Sequence, residues 1–309
     1  MTDLDVLLSP AELHHLGGLI EGPASALAPF EGLAAGDVDL ARLTRAGLLH
    51  GDALSEAGRV ALGILGHADA SAGFVLAEGD SVREHAVYFA GITVASLTSE
   101  GDQIRLQVPP PAALSLLGDA IGAGDAVALP FEGLFTVPEA CVFLAAVDVQ
   151  RRRILQSILD DSEPSLGATD LPTLRAWITR IDDSAQWLAP AVGAASLTVI
   201  DPDAIEAAAA SLAADGVIER RAGGVAPTAV VSALAHGFLV LQTFVRLRAG
   251  RVTQGVVHTV DIRIAQSQQG HHLLWEADAQ GHVHLATLSA AEVTATTDRL
   301  LSNAGALGG

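Results

Sequence analysis

The chain has 309 residues, of which 50% are apolar and 17% charged, so a globular protein with a substantial core is expected. Its 17 basic residues are all arginines and face 36 acidic residues, and the net charge of −19 disfavours binding to nucleic acid or to an anionic membrane. Cys141 is alone, which excludes an internal disulfide framework and a cysteine-built zinc site and favours a reducing, cytoplasmic location.

The first half is predicted to open with helices. Ser9-Pro10-Ala11-Glu12 is a capping box with proline at the first helical position, so a helix begins there. Apolar residues at helical spacing predict two more helices, at residues 37–47 and 54–67. Strands are then predicted at residues 74–77, 86–96 and 104–108, and a helix follows them at residues 111–121.

Residues 123–135, which include a glycine- and alanine-rich segment, are predicted to be a linker. A second capping box, Thr136-Val137-Pro138-Glu139, begins the longest predicted helix, which extends to about Leu159. Three arginines, 151–153, lie in that helix about 100° apart, so they cannot form one face, and a solvated, salt-bridged surface is expected for them.

The second half is predicted to repeat the order of helices and then strands. The helices are expected at residues 171–188, 201–212 and 227–236, and one more begins at the capping box at residues 289–292. Strands are expected at residues 239–248, 252–265, 273–277 and 283–287. The first two of these strands alternate most clearly and are expected to lie centrally in a sheet.

The segment 271–301 resembles the earlier segment 92–121. When Ile104 is laid on Val283, Leu106 falls on Leu285, and the following helices coincide as well. The sequence therefore predicts an internally duplicated chain of the α+β class, with repeats at residues 1–122 and 136–309. The copies differ in their outward residues, because Gln103 and Arg105 in the first copy are replaced by His282 and His284 in the second.

Four histidines, at positions 271, 272, 282 and 284, are the best candidates for metal ligands. His282 and His284 share one strand face, but Val283 and Leu285 take the inward positions, so an exposed polar face is favoured over a metal site. The sequence contains neither a lysine-bearing phosphate loop nor a nucleophile elbow. No catalytic residue, metal or cofactor is predicted.

A tandem winged-helix protein, either a DNA-binding regulator or a scaffold, is the alternative. The same order of elements occurs around Gly47 and again around Gly216. It consists of a helix, a turn of glycine and two apolar residues, and a second helix. Arg220 and Arg221 would lie in a wing-like hairpin and could form an anion-binding patch with the strand cluster Arg246, Arg248 and Arg251. The acidic net charge and the absence of arginine from residues 227–236 argue against nucleic acid as a ligand.

This order of elements, together with Val256-Val257-His258-Thr259-Val260-Asp261 and Gly270-His271-His272-Leu273-Leu274, distantly resembles the EspG family of type VII (ESX) secretion chaperones from actinobacteria. The resemblance implies a quasi-twofold fold in which a central antiparallel sheet is flanked by two helical, winged-helix-like bundles. It also implies a non-catalytic, cytosolic chaperone that holds a helical PE/PPE-like substrate by helix-in-groove recognition.

Our hypothesis places the partner contacts on an outer strand and hairpin of the second half, within residues 244–251, with two histidines nearby. The residues concerned are Phe244, Arg246, Arg248, Arg251, His282 and His284.

Overall fold

The computed structural model describes residues 3–79, 81–110, 129–165, 167–179, 187–190, 201–221, 224–278 and 280–306. The strands are β1 (Leu4–Leu8), β2 (Leu49–His50), β3 (Ala53–Leu54), β4 (Ala70–Glu78), β5 (Ser81–Ala90), β6 (Thr93–Glu100), β7 (Gln103–Val108), β8 (Glu132–Thr136), β9 (Glu219–Arg221), β10 (Gly224–Ala226), β11 (Leu241–Thr253), β12 (Val256–Ser267), β13 (His272–Ala277) and β14 (His282–Leu288). The helices are α1 (Pro10–Gly17), α2 (Leu40–Arg45), α3 (Glu56–Gly66), α4 (Val137–Leu159), α5 (Leu171–Ile178), α6 (Pro202–Ala214), α7 (Ala229–Gly237) and α8 (Ala290–Ala306).

Ten of the described strands form one antiparallel sheet in the order β1-β7-β6-β5-β4-β11-β12-β13-β14-β8. The predicted α+β fold with a large central antiparallel sheet is therefore confirmed. Outward from the central β4–β11 pair, each side has four consecutive strands and then an edge strand that directly precedes a helix. This shared order is the arrangement that a duplication would produce, and the duplication itself stays a prediction.

The two faces of the sheet carry different elements. Residues paired across antiparallel strands point to the same side, so the register assigns each side chain to a face. On the face that we call the bundle face, Leu97 and Leu106 pack with α1–α3, and Trp275 and Leu285 pack with α4–α7. On the opposite face, which we call the α8 face, Val293 of α8 packs on central strand residues that include Val245.

The predicted capping boxes are confirmed and link both edge strands to their helices. The hydroxyls of Ser9 and Thr136 accept hydrogen bonds from the backbone N–H groups of Glu12 and Glu139, whose carboxylates accept from the backbone N–H groups of the two capping residues. Such a cap contributes about 1 kcal/mol. Because Ser9 follows β1 and Thr136 ends β8, a capping box begins the helix that follows each edge strand of the sheet.

Some segments differ from the sequence prediction or lie outside the described residues. Strands β1 and β8 were not predicted, since their five-residue ladders form with partners about a hundred residues or more away in the chain. Residues 132–135 of the predicted linker therefore belong to the sheet, whereas 123–128 and the predicted helix 111–121 lie outside the described residues. Helix α5 ends at Ile178 because Thr179 caps it, and 180–186 lie outside the described residues.

The expectation that Arg151 is solvated is wrong. Its side chain is 2% exposed and forms an ion pair with Asp148, one helical turn earlier, at 2.6 Å between Nη1 and Oδ1. Arg153 donates to the carbonyl of Gly167, and the Arg152 guanidinium lies 5.8 Å from the ring centroid of Trp177. The three arginines thus point in different directions, as the helical spacing predicts, but the first points into the core.

Two glycines of α3 should respond in opposite ways to substitution by alanine. A methyl group at Gly58 would lie 2.3 Å from the carbonyl oxygen of Leu48, so Gly58→Ala should destabilise the protein by roughly 1–3 kcal/mol. A methyl group at Gly63 meets nothing within 4 Å, so Gly63→Ala should stabilise it by about 0.5–1 kcal/mol through helix propensity. Urea unfolding of both variants measures this, and shifts of the same sign would contradict the packing of α3 against the turn at Leu48.

No helix in the part of the chain that the structure describes is long and apolar enough to cross a membrane.

Candidate functional site

The six predicted contact residues do not form one patch. Strand β11 lies at the centre of the sheet, between β4 and β12, as the alternation of residues 239–248 predicts, so the hypothesis that the contacts lie on an outer strand is wrong. Alternation along β11 places Phe244, Arg246 and Arg248 on the bundle face and Arg251 on the α8 face, where it lines a cavity beside α8. His282 and His284 also lie on the α8 face, two strands away from β12. Alternation within a strand predicts which of its residues point to the same side. Which residues of two different strands lie on the same face depends on the register between the strands.

On the bundle face, three arginines surround one carboxylate. Arg246 donates from Nε to both carboxylate oxygens of Asp261, at 2.9 and 3.0 Å, and makes a third bond through Nη2. The Nε atoms of Arg248 and Arg263 lie 3.7 and 3.5 Å from the same carboxylate. We call these four residues the arginine cluster. Arg246 satisfies the carboxylate, which leaves an excess of two positive charges within the cluster.

The pKa values of the cluster reflect this crowding. Burial alone would raise the pKa of Asp261, but the hydrogen bond from Arg246 and the charges of the three arginines outweigh it and hold the pKa below its usual range. The folded state therefore gains stability above the ordinary Asp pKa of about 3.9, and this stability is lost as the pH falls through the lowered value. Burial lowers the pKa of Arg263, and the charges of Arg246 and Arg248 add to this effect while Asp261 opposes it.

The arginine cluster lies on the bundle face between the strands that pack with α1–α3 and those that pack with α4–α7, and we call this central surface the groove. A cavity of about 170 Å³ adjoins Arg246 and Arg248, and Glu84 and Tyr88 line it as well. Small residues of β4 and β5, which include Gly73 and Ala86, also line it. Leu27, from the segment between α1 and α2, lies so close to Gly250 that a methyl group on Gly250 would be 2.8 Å away. Phe244 continues the floor toward the second set of helices and packs edge-on against Trp275.

At the far edge of the sheet, the two histidines each pair with one acid. His284 Nε2 lies 3.0 Å from Glu132 Oε1, and His282 Nδ1 lies 3.2 Å from Asp278 Oδ2. Both side chains are partly exposed, and Val283 and Leu285 between and beside them are buried, as the alternation predicts. Among the described residues, no three His, Cys, Asp or Glu side chains come together in a geometry that could hold a metal ion.

The predicted wing arginines are engaged with neighbouring acids. Arg221 forms two hydrogen bonds to Glu219, at 3.1 and 3.0 Å, and Arg220 Nη2 lies 3.8 Å from Glu206. They are on β9 and do not join the arginine cluster on β11 and β12. The single patch proposed for the alternative function is thus not formed.

Sequence reasoning missed two members of the cluster, Asp261 and Arg263. Alternation along β12 places both residues on the side opposite Ile262, and their charges alternate with apolar residues. The missing information was the register, which pairs Arg248 with Asp261 and Arg246 with Arg263. The sequence did contain a signal. Asp261 and Arg263 are opposite charges two residues apart on one predicted strand, and Arg246 and Arg248 lie two residues apart on the strand before it.

The fold is similar to that of EspG5, a type VII secretion system chaperone of Mycobacterium tuberculosis, in a structure solved in complex with a PE25-PPE41 dimer. The TM-score is 0.51 at 12% sequence identity, and the match covers 96% of this chain and 95% of that chain. The distant resemblance expected from the sequence is thus confirmed at the level of the fold. No protein-family model and no protein of curated function matches the sequence.

Proposed function

We propose that the chain is a non-catalytic chaperone or adaptor that binds a helical, PE/PPE-like protein substrate for type VII secretion in the cytoplasm. The observation that carries this proposal is the similarity over nearly the whole of both chains to EspG5, whose structure includes a PE25-PPE41 dimer. We place the partner site in the central groove on the bundle face, and the chemistry of this surface supports that choice. Helix-in-groove recognition needs a cleft with apolar anchors and a polar rim, and the groove offers Phe244 beside the arginine cluster.

The charge of the groove indicates which partner surface fits it. The arginine cluster has three guanidinium groups and one carboxylate, in a chain whose net charge is −19. Arg248 is the most exposed of the three, and among the described residues Asp261 is the acid with which it forms an ion pair, at 3.7 Å. A helical partner fits this surface if it presents an acidic side chain to Arg248 and a neighbouring apolar side chain to Phe244.

We also infer that the two halves arose by duplication, with repeats at residues 1–122 and 136–309 that each combine helices and a meander. The offset that lays Ile104 on Val283 also lays Arg105 on His284. In the structure, Arg105 pairs with Asp5 of the edge strand β1 at 3.1 Å, and His284 pairs with Glu132 of the edge strand β8 at 3.0 Å. The two edges thus carry an arginine–aspartate pair in one half and a histidine–glutamate pair in the other.

Purification of the tagged chain from its native cell should recover a stoichiometric complex with a protein of helical composition. Mass spectrometry and light scattering identify the partner and the ratio. Recovery of the chain alone, at low salt and without detergent, would contradict the proposal.

The winged-helix alternative makes a different prediction for the same material. A DNA-binding regulator would show binding whose log-log salt dependence has a slope of about −0.9 per phosphate contacted. We expect no electrophoretic shift of random or genomic DNA even at low salt, because the described wing arginines are paired with acids.

A further inference from the structure

A second cavity lies on the α8 face, on the other side of the sheet from the arginine cluster. It has a volume of about 310 Å³ and is bounded by α8 and by the outer part of the β11–β12 hairpin. This volume is at the lower end of the range for small-molecule sites, roughly 300–1,000 Å³. The hairpin extends beyond β13 here, because β13 pairs with β12 only from Ile262 onward.

One end of the cavity is apolar. Ala249 and Val260 face each other across the β11–β12 ladder, and the next pair inward on this face places Ile262 beside them. Leu300 of α8 closes the same end. Val260 is 41% exposed although it lies in the centre of a long strand, so this end presents apolar surface that the described part of the chain leaves uncovered.

The other end of the cavity is basic. Arg251 and His258 form the cross-strand pair one step nearer the hairpin turn, and Arg299 approaches from α8. No aspartate or glutamate is among the described residues that line the cavity, although acids outnumber arginines by 36 to 17 in the chain. A cavity with an apolar end and a basic end matches a molecule with an apolar tail and an anionic head.

We propose that this cavity binds a single-chain carboxylate of the fatty-acid type. The tail packs against Val260, Ile262 and Leu300, and the carboxylate lies between His258 and Arg299. Guanidinium groups hold carboxylates by charge-assisted hydrogen bonds, and the apolar walls supply the rest of the affinity. The site is on the opposite face from the groove of the proposed function and does not depend on it.

Decanoate below its micellar concentration is the probe, titrated into the full-length chain by isothermal calorimetry. Decyltrimethylammonium is the matched cationic probe with the same tail. We expect one decanoate per chain and at least tenfold weaker binding of the cation. Val260→Trp fills the apolar end and should abolish binding, and Arg299→Gln should weaken it several-fold. Val82→Trp is the matched control, since Val82 is 63% exposed on the β4–β5 hairpin, outside the cavity.

Equal affinity for the two probes, or unchanged decanoate binding by Val260→Trp and Arg299→Gln, would overturn the proposal. So would an absence of decanoate binding at millimolar concentration, or binding to phosphatidylglycerol vesicles without binding of monomeric decanoate. Circular dichroism checks that the tryptophan variants are folded. Arg299→Gln, at an exposed position on α8, keeps the test decisive if Val260→Trp does not fold.

Discussion

Replacing Asp148 by alanine should lower the free energy of unfolding by about 3–5 kcal/mol, because it leaves the buried charge of Arg151 without its partner. The Asp148 side chain is 0% exposed, and its two oxygens accept hydrogen bonds from the backbone N–H groups of Leu188 and Ala189 at 3.1 and 2.8 Å. Arg151 also donates to the carbonyl of Leu239, and its guanidinium lies 5.1 Å from the ring centroid of Trp187. The buried Asp148–Arg151 pair therefore joins α4 to two distant parts of the second half.

Urea unfolding followed by circular dichroism measures this effect. Asp148→Asn should lower the free energy of unfolding by less than Asp148→Ala does. The amide oxygen of asparagine still accepts a backbone hydrogen bond, although the negative charge is lost. Glu219→Ala is the matched control, because it removes the acid of the exposed Arg221–Glu219 pair and should leave the midpoint unchanged. If Asp148→Ala and Glu219→Ala unfold at the same urea concentration, the buried pair does not stabilise α4 as the structure indicates.

The second large effect concerns partner binding. Arg248→Glu should reduce affinity for the helical partner by on the order of a hundredfold, because it places a negative charge opposite the partner's acid. The fold should persist, since Arg248 is the most exposed arginine of the arginine cluster and approaches Asp261 only to 3.7 Å. Arg246→Ala should behave differently and lower stability, because Arg246 makes the hydrogen bonds to Asp261.

Arg83→Glu is the matched control for this prediction. It makes the same change in net charge, but Arg83 pairs with Leu76 and therefore lies on the α8 face. Calorimetric titration of the purified partner into each variant, at two salt concentrations, separates a local contact from a general effect of charge. Equal losses in both variants would mean that only net charge matters, and the groove would then not be the binding surface.

Local signals in the sequence predicted much of this fold, and long-range pairings explain what they missed. The capping boxes at Ser9 and Thr136 depend on four adjacent residues, so they could be predicted from the sequence. Strand β8 pairs with β14, which lies about 150 residues later, and nothing within β8 predicts that ladder. Alternation predicted the four strands of the second meander, but it assigned residues 86–96 of the first to one strand, where the chain turns between β5 and β6. It also did not predict that the two meanders meet at β4 and β11.

The candidate site shows the same division. Arg246 and Arg248 were predicted as a basic cluster on one strand, but Asp261 and Arg263 join them only through the register of β11 and β12. Likewise, Arg151 looked solvated because the sequence does not show that Leu188 and Ala189 return to Asp148. The spacing of Asp148 and Arg151, three residues apart on one helix, was a local signal that a buried pair was available.

Photo-cross-linking from the floor of the groove tests the central claim most directly. A benzophenone amino acid at Glu84 would lie on the bundle face beside Arg246 and Arg248, whereas the same group at the neighbouring Arg83 would point to the α8 face. We predict that irradiation in the native cell cross-links the helical partner through position 84 and not through position 83. Cross-linking through position 83 alone, or equal yields from both positions, would contradict a partner held in the central groove.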